Sequence, residues 1–192
     1  MRLRVGKMLV ASVVVLGMPC RAAKKAKPHL YRNERSGFCA EVPANWNGPA
    51  EVANHDGGRF DAPGGNASIT FALSSNRPRS IVLGEKNAGS QMATLDDYHE
   101  AIPNTWRNDP TVSDVNVTQD KSVTLNGSPA IRLELAYKRA GANRRYEIVF
   151  ALSNNEQYAV EYDVAKRSAK KYEIDFRGAV NSFEFQCQAN GR

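Results

Sequence analysis

Few residues in this chain are arranged for chemistry, and the best of them fall in one glycine-rich stretch. His55, Asp56 and Asp61 lie within His-Asp-Gly-Gly-Arg-Phe-Asp-Ala-Pro-Gly-Gly-Asn, residues 55–66. An imidazole and two carboxylates can converge on a divalent metal or a small ligand where glycines let the backbone bend. The same composition also builds solvated turns, because Asp and Gly favour turn geometries. The three residues therefore stand as candidates for a ligand loop, and neither a metal nor a cofactor is expected. His99-Glu100 begins like a helical zinc-protease motif, but Pro103 stands where the second histidine belongs. Gly84 and Gly89 have phosphate-loop spacing, yet Ser90-Gln91 follow in place of Lys and Ser/Thr. Gly-x-Ser-x-Gly and Cys-x-x-Cys are absent. The common catalytic mechanisms are thus disfavoured, though not every enzyme is excluded.

The cysteines take their meaning from the N-terminus. Arg2, Arg4 and Lys7 precede an uncharged apolar run from Met8 to Met18, followed by small residues near Ala22. The run is shorter than the roughly 20 residues a membrane span needs. This is the grammar of a cleaved secretory signal, here residues 1–22. An alternative makes Cys20 a lipidated N-terminus, but Gly17 and Pro19 are poor company for that reading. The mature chain keeps Cys39 and Cys187, and in an oxidising compartment they read as a disulfide. The alternative is two separately buried thiols. An exported protein, periplasmic or secreted, with no transmembrane segment in its mature part is expected.

Removing the signal changes the charge argument. The full chain carries 26 basic and 20 acidic residues, a formal charge of +6. Without Arg2, Arg4, Lys7 and Arg21 it is +2, and without Lys24, Lys25 and Lys27 as well it is −1. The basic character belongs to the N-terminal region, so nucleic-acid binding through a basic face loses its support. Local basic clusters remain at Lys138-Arg139 with Arg144-Arg145, and at Lys166, Arg167, Lys170 and Lys171. Either could meet an acidic partner, but interleaved Glu147, Glu161, Asp163 and Glu173 favour solvated, mixed charge. Asn66, Asn116 and Asn126 begin glycosylation sequons, which matter only in a host that modifies exported proteins.

These residues need elements to position them. Residues 23–35 read as a flexible basic leader, 36–188 as one domain and 189–192 as a tail. Phe38–Val42 is a short strand stopped by Pro43, with a turn through residues 45–49 and a further short strand at 51–53. Residues 55–66 read as loop, with Arg59-Phe60 paired briefly. Ser68–Leu73 alternates as a strand, and residues 76–92 form a long connection. Thr94, with Asp97 three residues on, caps a helix whose Leu95, Tyr98, Ile102 and Trp106 share a face. Pro103 should kink that helix or end its regular part near Ile102.

Strands follow at 112–118 and 121–125, then an Asn126-Gly127 hairpin turn. Strands 130–137, 145–152 and 157–163 come next. A last helix, capped by Ser168, carries Tyr172, Phe176, Ala179 or Val180, and Phe183 on its buried stripe. Trp46 and Trp106 read as packing residues rather than exposed anchors. An antiparallel meander between two amphipathic helices makes an α+β layered sandwich.

Ser36-Gly37-Phe38-Cys39-Ala40-Glu41-Val42-Pro43-Ala44-Asn45-Trp46 resembles the opening of the PsbP-like superfamily, named for an extrinsic subunit of the photosystem II oxygen-evolving complex. The later order is similar too: a helix, Asn126-Gly127-Ser128-Pro129-Ala130, a tyrosine-bearing strand at 158–164, and a last helix closing on Asn181-Ser182-Phe183. The resemblance spans roughly residues 35–187. It implies an α/β/α sandwich around a central, mainly antiparallel sheet, and a non-catalytic module that docks onto a partner protein or envelope component. Many bacterial relatives are exported proteins of unknown role. The photosynthetic members' calcium and chloride retention resides in an N-terminal extension with no counterpart in residues 23–35, and the cysteine pair is not part of the family pattern. Two alternatives stay open: a small-ligand or metal-binding carrier or enzyme of unrecognised type, and an immunity or inhibitor protein against a secreted toxin.

Overall fold

The computed structural model describes residues 27–53, 55–84 and 91–187. The signal segment, Cys20 and the tail at 189–192 lie outside them. A seven-stranded antiparallel sheet, ordered β3-β4-β5-β9-β8-β7-β6, forms the middle layer. Its strands are β3 (Asn47–Ala50), β4 (Asp56–Asp61), β5 (Ala67–Ser75), β6 (Val112–Leu125), β7 (Ser128–Arg139), β8 (Ala142–Ser153) and β9 (Glu156–Ala165). Helix α2 (Leu95–Asn108) lies over β6 and β7 on one face, and helix α3 (Ala169–Asn181) lies over β5 and β9 on the other. The α/β/α sandwich expected from the sequence is therefore present.

The core is two clusters, one per face, as strict alternation in the central strands requires. Tyr158, Val160, Tyr162 and Val164 of β9 face α3, where they join Ile69, Phe71, Trp46, Tyr172, Phe176 and Phe183. Ala159 faces α2, with Ile131, Leu133, Leu135, Ile148 and Phe150. Trp46 meets Tyr172 edge-on, and Trp106 packs on Tyr137 and Tyr146, so both tryptophans are packing residues.

The N-terminal region departs from the expectation. Residues 29–32, read as leader, form β1 (His29–Arg32), paired antiparallel with β2 (Cys39–Val42) in a separate ribbon. Alternation is hard to see in four residues, and the ribbon is fixed by tertiary contacts instead. Tyr31 packs among Phe38, Phe60 and Phe71. Asn33 closes the hairpin by accepting from the Arg35 and Ser36 amides, and it donates to Asp56 at 3.0 Å. The same, turn-side end of the ribbon is tied down by the Cys39–Cys187 disulfide, which joins residues 148 apart in sequence. Cys39 also forms an isolated bridge with Glu184, and the Cys187 amide donates to the Gly37 carbonyl.

Six further readings are corrected. The glycine-rich stretch is not a loop at its start: residues 56–61 form β4, fully in register with β5. Its glycines serve close approach, since a Cβ at Gly57 would stand 1.9 Å from the Phe71 carbonyl oxygen and one at Gly58 2.8 Å from the Tyr31 hydroxyl. The short strand expected at 51–53 lies instead at 47–50. The connection at 76–92 contains a helical turn, α1 (Arg79–Leu83). The two strands read at 112–118 and 121–125 are one strand, β6, with register shifts near Asp114 and Thr118. Pro103 does not end α2, which continues to Asn108. Ser168 makes no side-chain cap; it closes a short 3-10 turn (Lys166–Ser168) before α3.

Closing a loop this long restricts the unfolded chain, so Cys39→Ser should lower the unfolding free energy by about 2–5 kcal/mol. The shift of the urea midpoint at constant slope measures it, and an unchanged midpoint would mean that the ribbon is held without the bond.

Candidate functional site

The structure does not bring His55, Asp56 and Asp61 together. Asp56 and Asp61 stand at opposite ends of β4. Asp56 accepts from Asn33 and so anchors the β1–β2 turn, while Asp61 binds Arg59 at 3.0 Å on the surface. Among the described residues, the one group of three candidate metal ligands is Cys39, Glu184 and Cys187, and its two sulfurs are joined to each other. His99, the start of the incomplete zinc motif, pairs with Asp120 across the α2–β6 contact.

His55 has a different setting. It lines a cleft of about 460 Å³ between the sheet and the α1–α2 layer. The floor is the α2-facing side of β5, β9 and β8: Ala72 and Ser74, then Gln157, Ala159 and Glu161, then Tyr146, Ile148 and Phe150. One wall is α2, with Ala101, Ile102 and Trp106; the other is α1, with Ile81 and Val82. The cleft exists because α2 covers only one half of its sheet face.

The wall is held by a local polar frame. Thr94 and Asp97 form a reciprocal capping box at the start of α2. Asp97 also takes the Arg79 guanidinium at 2.9 Å, which fastens α1 to α2. Hydrogen bonds from the Thr94 backbone, and then the Arg79 guanidinium, hold the Asp97 carboxyl below its ordinary value despite burial. Asn76 donates to the Ala93 carbonyl at 2.9 Å and accepts the Tyr98 hydroxyl at 3.0 Å. Gln157 donates to Tyr98 and accepts from Ser74 at 3.2 Å. The Ser74 hydroxyl is therefore engaged by an amide oxygen.

The two ends of the cleft differ in charge. At one end burial lowers the His55 pKa, and the nearby Arg77 charge lowers it further. Arg77 makes no ion pair among the described residues. At the other end stands Glu161, half-buried in the middle of a central strand. Burial pushes its carboxyl up to about 7, opposed by a hydrogen bond donated from Tyr146 and reinforced by the charge of Asp163. No described cation lies within ion-pairing distance of Glu161, and Arg59, which acts on it at longer range, is held by Asp61. Asp163 by contrast accepts from Arg144 at 2.8 Å and from Tyr137 at 2.7 Å.

Sequence reasoning placed Glu161 among the interleaved surface charges and did not single out Arg77, Tyr146 or Gln157. The usable signal was the central position of residues 157–163, a strand with an acid at a position paired with Thr70 of β5 and Ile148 of β8. The basic clusters divide. Lys138, Arg139, Arg144 and Arg145 are all ion-paired, as mixed charge predicts. Lys166, Arg167 and Lys170 make no ion pair among the described residues, and the first two line a shallow basic hollow with Arg144, Asn66 and Asn143.

Neither a protein-family model nor a curated protein sequence matches this chain. Solved structures do. Cyanobacterial PsbP (CyanoP) from Synechocystis sp. PCC 6803 superposes with a TM-score of 0.57 at 12% identity, covering 88% of this chain and 98% of that one. The Ran-binding protein Mog1p of Saccharomyces cerevisiae gives 0.52 at 9% identity, over 83% and 95%. LpqN, involved in cell envelope biogenesis of Mycobacterium tuberculosis, gives 0.51 at 14% identity, over 82% and 89%. The likeness is one of fold.

Because the Glu161 pKa is raised above its unfolded value, folding favours the protonated acid. Its ionisation therefore leaves stability untouched below about pH 4 and erodes it as pH rises from there through about 7. Glu161→Gln should stabilise the protein by about 2 kcal/mol at pH 8, a figure discounted for partial exposure, and by almost nothing at pH 4. Thermal melts of both proteins across that range test this; a difference independent of pH would contradict it.

Proposed function

On the premise that the chain has the PsbP-like fold, we propose that it is an exported, non-catalytic binding module that engages a partner protein or envelope component through the cleft beneath α1 and α2. The observation that carries this reading is the cleft itself. It is open and half apolar, and polar side chains from three strands and two connecting segments converge on it: His55 before β4, Ser74 on β5, Arg77 before α1, Tyr146 on β8, and Gln157 and Glu161 on β9. A concave site with a few convergent polar groups in a mainly apolar lining is the usual form of a recognition site.

The chemistry of the lining supports binding rather than turnover. A nucleophile needs a base within hydrogen-bond reach and a third group to orient that base. Ser74 is engaged by Gln157, and Tyr98 by Asn76 and Gln157. Proteins that share the fold at 9–14% identity include one described as Ran-binding and one as involved in cell envelope biogenesis. They agree with a scaffold that presents surfaces to other molecules, and they identify no partner for this chain. The export signal read at residues 1–22 and the Cys39–Cys187 bond favour an extracytoplasmic setting.

Ala101 sits on the cleft wall and is only partly buried, so a large side chain there can occupy the cleft without disturbing the core. In a capture experiment from envelope extract, Ala101→Trp should lose the bound component by about tenfold or more. Lys170→Glu, on the opposite face, should retain it. Equal capture by Ala101→Trp, with an unchanged melting temperature, would place the interaction elsewhere on the molecule.

A further inference from the structure

The charges at the two ends of the cleft define a ligand more narrowly than its shape does, and this inference rests on the cleft being the binding site. Glu161 lies in an apolar setting with no described cation in ion-pairing range, and Tyr146 supplies one hydrogen bond to it. A carboxyl in such a place is best satisfied by a cation that brings its own donors. The walls at this end are the rings of Tyr146 and Trp106, which pack together at 4.3 Å. Aromatic rings beside a carboxylate suit an organic ammonium. A hard divalent ion needs six or more oxygens, and Glu161 offers the one carboxylate of the lining.

The other end has the opposite sign. Arg77 borders the cleft without an ion pair, and its charge acts on both His55 and Tyr98. Ser74 and Gln157 stand beside it as neutral hydrogen-bonding groups. Between the ends the floor is apolar, with Ala72, Ala159, Ile148 and Phe150 below and Ile102 and Val82 above. Gln157 and Glu161 are four residues apart on one strand face, a distance of about 13 Å at strand rise.

We propose that the cleft binds a small, linear zwitterion, its ammonium against Glu161 beside the packed Tyr146 and Trp106 rings, its aliphatic body over Ala72 and Ala159, and its carboxylate at Arg77. The arrangement disfavours a simple fatty acid, whose single charge would satisfy Arg77 and leave the half-buried Glu161 without a counter-charge. It also fixes the direction in which the ligand lies.

The test is calorimetric titration of the full mature chain with three probes of equal chain length: 8-aminooctanoate, octylammonium and octanoate. At pH 8 the amino acid should bind tightest and octylammonium about tenfold more tightly than octanoate. Glu161→Gln should weaken both amines by about tenfold and change octanoate by less than about twofold, while Arg77→Gln should weaken the two carboxylates and spare octylammonium. Binding of octylammonium should fall between pH 8 and pH 6 as Glu161 takes up a proton. The groups that act on Glu161 during that titration are Arg59 from β4, Tyr146 from β8 and Asp163 from β9, with Thr70 as its uncharged cross-strand neighbour on β5.

Octanoate equal to or tighter than octylammonium would overturn the proposal, as would amine binding indifferent to Glu161→Gln or no heat from any probe at about ten millimolar. These failures are separate from that of the cleft as a recognition site, which Ala101→Trp decides by capture alone.

Discussion

The structure depends on a mismatch of widths. Seven strands at about 4.8 Å spacing make a sheet some 30 Å across, and a helix with its side chains is about 10 Å wide. One helix per face cannot cover such a sheet, so each face has a covered part and an uncovered part. The two helices are offset from one another, α2 over β6 and β7 at one edge, and α3 over β5 and β9 near the middle. Each face therefore keeps an uncovered part beside its helix.

The two vacant quarters are solved differently. On the α3 face, β7 and β8 carry Arg132, Glu134, Arg145 and Glu147 where apolar residues would otherwise face solvent. Glu134 and Glu147 are directly opposed across the strands, a repulsive pair by itself. Arg145 bridges them at 2.8 Å to each, and Arg132 adds a second cation to Glu147, which has 0% exposure. That quarter is electrostatically closed. On the α2 face the sheet keeps an apolar floor, flanked by Glu161 at one end and Arg77 at the other, and neither charge is neutralised by the fold. The β1–β2 ribbon, held by the disulfide, completes the cover of the α3 side but has no counterpart over the cleft.

Much of this could be read from the chain, and the failures have physical reasons. Tyr98, Ile102 and Trp106 repeat at helical spacing, and Thr94 with Asp97 is a local cap, so α2 was visible together with its start. Asn126-Gly127 fixed the β6–β7 turn because both residues adopt positive φ there. The disulfide followed from the expected export signal, whose removal would leave Cys39 and Cys187 as the remaining pair. β4 was missed because its glycines answer to Phe71 and Tyr31, residues far away in the chain, while local composition speaks only of turns. β1 was missed for the same reason. The cleft was illegible because it is a product of helix placement: Glu161, Arg77 and Trp106 are scattered over 85 positions of sequence. His55 was noticed, but with the wrong companions, since Asp56 and Asp61 alternate away from it or lie at the far end of the strand.

The closed seam between the two ends of the domain has a practical side. Residue 27 enters through the β1–β2 ribbon and residue 187 leaves beside Gly37, so both ends of the described chain emerge on the α3 side of the sheet. The cleft opens on the reverse side. A bead or a fused domain joined directly at residue 27 or residue 187 consequently stands behind the domain, and protein immobilised through either position presents the cleft outward.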